Sequence, residues 1–185
     1  MSENKIRILE ATLETVSRYG VRKTSVSDIA RQSGLSRQTI YNLFETRDDI
    51  FRAAIAYAGE TSRSRLRAKI ARLESLSEQL DAMFQEFVMI GFEFSRQSPD
   101  AHDIVEGAHE VGHDVLKASF SANADLIADI LEPYDREISE KGVSRQQLAR
   151  SIEISGRGSK READSASDLK ELIQTQKRLV ELMVA

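Results

Sequence analysis

Two groups of side chains in this sequence have types and spacings suited to chemistry. The first is Arg37, Gln38, Thr39, Tyr41 and Asn42, five hydrogen-bonding residues crowded beside the apolar Ile40 and Leu43. The second comprises all three histidines, His102, His109 and His113, with Asp103, Glu106, Glu110 and Asp114 nearby. His109 and His113 stand one helical turn apart, the spacing at which two side chains can share a metal. No third ligand follows in a recognised pattern, so these histidines are read as surface or pocket-lining residues, and no metal is expected. The absence of cysteine removes thiol nucleophiles, disulfides and cysteine-ligated zinc. No nucleophile–base spacing and no phosphate-cradling loop is found, so the chain reads as a non-enzyme with no cofactor.

The polar cluster at 37–42 needs a scaffold, and its flanks spell one out. A helix over about 5–19 puts Ile8, Leu9, Leu13 and Val16 on one face, with Gly20 closing it. Ser25 and Asp28 have the spacing of a capping box that opens a short second helix. Gly34 ends that helix in the left-handed conformation, and Ser36 caps a third helix over 37–44. Thr46 and Asp49 then cap a fourth, which continues through about Leu66. The small Ala30, the turning Gly34 and the branched Ile40 together specify a helix-turn-helix. Ile40, Leu43 and Phe44 hold the third helix against the others, leaving the polar residues on its outer faces. So short a helix gains little from such a surface unless that surface has a partner, and the major groove of DNA admits a helix and offers matching donors and acceptors.

Charge must be counted by region. The chain of 185 residues carries a net −4, yet through Arg52 nine Lys/Arg face seven Asp/Glu, so the head is +2 and the remainder −6. A mildly basic head on an acidic body can meet DNA alone, because phosphate contacts act within a Debye length of about 8–10 Å. With 41% apolar and 30% charged residues the chain is of ordinary globular type, and only two prolines interrupt it, which predicts an all-α fold. The N-terminus lacks the apolar core of a signal peptide and no run approaches the ~20 apolar residues of a membrane span, so the expected location is cytoplasmic, without membrane contact.

The run RILEATLETVSRYGVRKTSVSDIARQSGLSRQTIYNLFETRDDIFRAAI resembles the N-terminal domain of TetR-type transcriptional regulators, with the glycine, T-S-V-S-D-I-A, G-L-S-R-Q-T-I-Y and T-R-D-D-I all in register. The resemblance implies a three-helix helix-turn-helix head over 1–52, joined to a larger helical effector-binding and dimerisation domain over 53–185, with about nine helices in all. It further implies that Thr24 or Ser25, Tyr41 and Arg47 contact phosphates, while Arg37, Gln38 and Thr39 face base edges. That division suits the chemistry, since hydroxyls and helix N-termini fit phosphate oxygens and a guanidinium or amide reads a purine edge. Ser25 and Ser36 cap helices and have phosphate contact as an added role. Leu43 stands where the family more often has histidine or another polar ring, and Asn42 is the candidate to replace that contact.

In the acidic body, Leu76, Leu80, Met83, Phe84, Phe87, Val88 and Gly91 recur at helical spacing, and Ile90 and Phe94 widen the apolar face. Ser98–Pro99–Asp100 reads as the opening of a short helix, and Pro133 as the end or bend of a long one. Ser144 and Gln147 open another helix, S-G-R-G-S-K-R-E-A-D-S reads as a linker, and Ser165 with Asp168 caps the last helix. The resemblance implies that the last two helices form a four-helix dimer interface through Leu148, Ile152, Leu169, Leu172, Ile173, Leu179, Val180 and Met183. The alternative is burial of this apolar face within one chain. It also implies an effector pocket, with Met83, Phe87, Ile90, Phe94, Phe120, Tyr134 and the three histidines as candidate lining; a methionine and phenylalanine stripe of this kind can equally be plain core. The function so predicted is a ligand-responsive repressor that binds a near-palindromic double-stranded DNA operator as a homodimer and is released by a small-molecule effector. A helical protein-interaction module and a hydrolytic enzyme are the competing readings.

Overall fold

Cap and breaker residues set most of the helix boundaries in this computed structural model, which describes residues 1–97 and 101–185 apart from the side chains at 94, 95, 97 and 101–109. The described residues contain ten α-helical segments and no strand: α1 (Glu3–Lys23), α2 (Val26–Ser33), α3 (Arg37–Tyr41), α4 (Arg47–Ile70), α5 (Leu76–Phe84), α6 (Ile90–Gln97), α7 (Ala101–Leu131), α8 (Asp135–Glu140), α9 (Arg145–Glu162) and α10 (Ala166–Val184). A π-helical turn over Gln85–Met89 joins α5 to α6. The helix predicted to open at Ser98–Asp100 starts outside the described residues. Pro133 ends α7, sitting in the short 3-10 turn Glu132–Tyr134.

The chain forms two compact units, one of residues 1–60 with 94–118 and one of residues 61–93 with 119–185. In the first, Ile8, Leu9, Val26, Ile29, Ile40, Phe44, Ile50 and Ala54 make one core. Each of the large aliphatic side chains there contributes about 1.5–3 kcal/mol by leaving water. A smaller cluster joins Val16, Val21 and Phe51 to Val111. Beside it Gly112 breaks α7 with φ −135° and ψ 28°, and a Cβ there would stand 2.6 Å from Ile55 Cδ1, so a side chain at 112 would oblige the tip of Ile55 to move. Ion pairs Arg22–Glu110 (2.9 Å) and Arg52–Asp114 join the same elements.

The second unit is built on Leu66, Leu80, Met83, Phe84, Ile127, Leu131, Ile138, Ala149 and Leu169. Three expectations fail in it or beside it, each for a packing reason. The segment read as a linker is helical to Glu162, because Gly156 lies against Val88 at a distance where its Cβ would be 3.0 Å from Cγ2 and so serves close packing rather than a turn. Ile90 is 40% exposed rather than part of the buried face. The π turn before it inserts an extra residue into the 3.6 repeat, which turns Met89 and Phe92 inward instead. Ile152, Leu169, Ile173 and Val180, predicted at a dimer interface, are buried within this one chain. The inward face of α10 also carries Lys177, whose Nζ donates to Asp81 Oδ2 at 2.6 Å.

Candidate nucleic-acid interface

The polar cluster is held by short-range logic. Ser25 accepts a hydrogen bond from the amide of Asp28 while the Asp28 carboxylate accepts from the Ser25 amide (3.0 Å) and hydroxyl (2.6 Å), closing a full capping box on α2. The hydrogen bonds from Ser25, and secondarily Arg31, hold the Asp28 carboxyl below the ordinary aspartate range. Gly34 takes the left-handed conformation (φ 66°, ψ 24°), and the Arg7 guanidinium donates to Ser33 O at 2.7 Å, tying the end of α2 to α1. Ser36 then accepts from the Thr39 amide at 3.0 Å and starts α3.

Ile40 is wholly buried and anchors α3 in the core. Around it Arg37, Gln38, Tyr41 and Asn42 are exposed, and Thr39 is half-buried with its hydroxyl 2.8 Å from that of Ser36. Gln38 Nε2 donates to Asn42 Oδ1 at 3.0 Å, so the two amides move as one and leave Gln38 Oε1 and Asn42 Nδ2 facing outward chemistry. Arg37 has no hydrogen-bond or ion-pair partner among the described residues. This surface offers forked donors, amide donor–acceptor edges and a phenol, which is the complement of a groove floor and its bordering phosphates.

Three residues sit differently from the sequence reading. Helix α3 is regular only to Tyr41, after which the Leu43 and Phe44 amides both turn back to Ile40 O (2.9 and 3.0 Å). That tightening drives Phe44 into the core and leaves Leu43 39% exposed rather than packed. Thr24 is buried and its hydroxyl donates to Gly20 O at 2.8 Å, so it presents no group for a phosphate. Arg47 is half-buried: Nε donates to Thr24 O (2.9 Å), Nη2 to Val21 O, and the guanidinium lies 4.3 Å over the Phe51 ring. Its donors are largely spent on closing the α1–α2 turn.

In the second unit a small cavity of about 30 Å³ brings together Met83, Phe87 and Phe120 as the sequence suggests. Ile90 faces outward, Tyr134 packs on the core elsewhere, and His113 is exposed in the other unit; the side chains of Phe94, His102 and His109 lie outside the described residues. The polar lining was not foreseen: Asn123, Glu153, Arg157 and Lys160. Glu153 and Arg157 are four apart and pair at 2.7 Å, a signal visible only if this stretch is read as helix. Arg157 also lies 4.2 Å over the Phe120 ring. Burial pushes the Glu153 carboxyl up against the opposing pull of Arg157, and burial, with Arg157 nearby, pulls the Lys160 ammonium down.

The head has the geometry of a helix-turn-helix. Residues 8–54 match the family model of bacterial regulatory proteins of the tetR family, so the family that the sequence resembles is found in the head. The chain as a whole has the TetR-family regulator fold. It is similar over its full length, and over the full length of the other chain, to a TetR-family regulator from Rhodococcus sp., with TM-score 0.73 and 19% identity. It is also similar to Thermus thermophilus FadR, a TetR-family transcriptional repressor in complex with lauroyl-CoA, with TM-score 0.59 and 20% identity over 98% of this chain and 95% of that one. In sequence it is 27% identical over 81 residues to the uncharacterized HTH-type transcriptional regulator YezE of Bacillus subtilis (strain 168), a match spanning 44% of this chain and 42% of that protein. The family and these relatives are regulators, not enzymes. No helix among the described residues is long and apolar enough to cross a membrane.

Proposed function

We propose that this protein is a ligand-responsive transcriptional repressor that binds a near-palindromic operator as a homodimer in the cytoplasm. Residues 1–52 are the DNA-binding head, and residues 53–185 serve effector binding and dimerisation. The observation that carries the reading is α3: seated by the buried Ile40, it turns Arg37, Gln38, Tyr41 and Asn42 to solvent. Arg37, Gln38 and Thr39 read base edges, and phosphates are met by the exposed Ser25 and Ser36 at the helix starts, by Tyr41 and by Asn42. Arg47 supports this surface and does not itself bind phosphate. One short helix reads too few base pairs, so a second copy related by a two-fold axis is required. Its contact face is the exposed stripe Leu172, Leu179 and Leu182 of α10, with Ile154 of α9.

Release by an effector is supported by the cavity of the second unit and by the likeness to a repressor that holds an acyl-CoA. A ligand acts there only through different affinities for the DNA-competent and incompetent states. The test is a mobility shift and footprint on the DNA flanking the protein's own gene. A protected near-palindrome bound far more tightly than its isolated half supports the reading; equal affinity for the half-site, or no binding to that DNA above random sequence, overturns it.

A further inference from the structure

The cavity of the second unit is small, but its wall is electrostatically lopsided. Two cations, Arg157 and Lys160, face one carboxylate, Glu153. Glu153 is engaged with Arg157 Nε at 2.7 Å. The Lys160 ammonium, by contrast, has no hydrogen-bond or ion-pair partner among the described residues, although its side chain is largely withdrawn from water. It lies across α6 at Gly91, where a Cβ would stand 3.2 Å from Nζ and 3.5 Å from Cδ, so a side chain at 91 would push the ammonium from its place. An ammonium carries three donors and gains from a partially buried site only if an acceptor comes to it. Apart from Asn123 the rest of the wall is apolar, and in it Met83 and Phe87 are the side chains that make room by changing rotamer. Burial, and then the Arg157 charge, lower the Lys160 pKa against the opposing pull of Glu153.

We propose that this cavity is the seat of an anionic effector, a carboxylate with an aliphatic or aromatic body, whose head pairs with Lys160 while its body displaces Phe87 and Met83. The inference rests on the reading of the second unit as an effector domain and names the class of effector. Arg157 keeps its partner Glu153 and its stack on Phe120, and so forms the fixed wall. Lys160 is the specificity-determining group, because a neutral isostere of the ligand leaves the ammonium without a partner.

The experiment uses the full chain and four probes, hexanoate, decanoate, phenylacetate and phenylpropanoate, each paired with its primary amide. Calorimetric titration and thermal stabilisation give affinities, and the same probes are added to the protein–DNA complex in a mobility shift. At least one carboxylate should bind about tenfold or more tightly than its amide. Lys160→Met should erase that preference, Lys160→Arg should keep it, and Gly91→Ala should weaken it by displacing the ammonium. Amides binding as well as carboxylates, a preference insensitive to Lys160→Met, or no binding by any probe would each overturn the anion seat. Amides that bind and release DNA equally well would do so while leaving the effector reading intact. Lys160-dependent carboxylate binding that never releases DNA would support the seat and overturn the effector reading.

Discussion

Arg37 and Arg47 illustrate how two like residues in one head come to do different work. Arg37 is exposed at the start of α3 with no partner among the described residues, so its guanidinium is available to a guanine edge. Replacing Arg37 or Gln38 by alanine should leave folding unchanged and cost about 1–3 kcal/mol at one base position, read as a changed ranking in a binding-site selection. Arg47 instead donates to the carbonyls of Thr24 and Val21 and stacks on Phe51. Arg47→Ala should therefore destabilise the fold by about 2 kcal/mol, measured by urea unfolding, because two buried carbonyls lose charged donors. Arg47→Lys should recover little of that, since a point charge cannot span both acceptors. An Arg47→Ala protein of normal stability but weakened DNA binding would restore the phosphate role that the family resemblance implies for it.

Among the elements, helix starts carry a pH dependence that can be worked out in sign. Asp28 and Glu78 each close a capping box, with Ser25 and Ser75, and those hydrogen bonds hold both carboxyls below their ordinary values of 3.8 and 4.5. A depressed folded pKa means that the contribution is complete above the ordinary value and is lost as pH falls through the folded one. Thermal stability should thus decline on acidification below about pH 4.5, and Asp28→Asn with Glu78→Gln should flatten the decline and lower the plateau above it. The Ser25–Asp28 box was legible in the sequence because a cap involves four consecutive residues, and Gly34, Ser36, Thr46 and Ser165 were legible for the same reason, whereas the Ser75–Glu78 box, of the same pattern, was missed. The π turn at Gln85–Met89 and the glycine-bearing end of α9 were not, since both depend on what lies opposite: Gly156 looks like a breaker until Val88 is placed against it. The cavity's polar half was hidden with them. Likewise Leu169 and Leu172 are equivalent as letters, and only packing reveals that the first is core and the second is surface.

For the whole molecule, the proposed dimer turns on the apolar residues of α10 that the single chain leaves uncovered. Leu179 and Leu182 are 59% and 61% exposed, so replacing both with glutamate removes little packing from the chain itself. It places charges where a two-fold contact would bury them, which costs far more than the fold loses. Sedimentation should show wild type as a dimer and Leu179→Glu/Leu182→Glu as a monomer with unchanged helicity. The consequence for DNA follows from charge. Only the head is basic, +2 against −6 for the remainder, so in the proposed complex phosphate contacts would come from the heads and scale with their number. Each neutralised phosphate contributes about −0.9 to the slope of log K against log salt. Wild type on the full element should therefore show about twice the salt slope of the double variant on the same DNA. A dissociated variant that kept the full slope would mean that a single head makes all the contacts, and the near-palindrome would lose its physical basis.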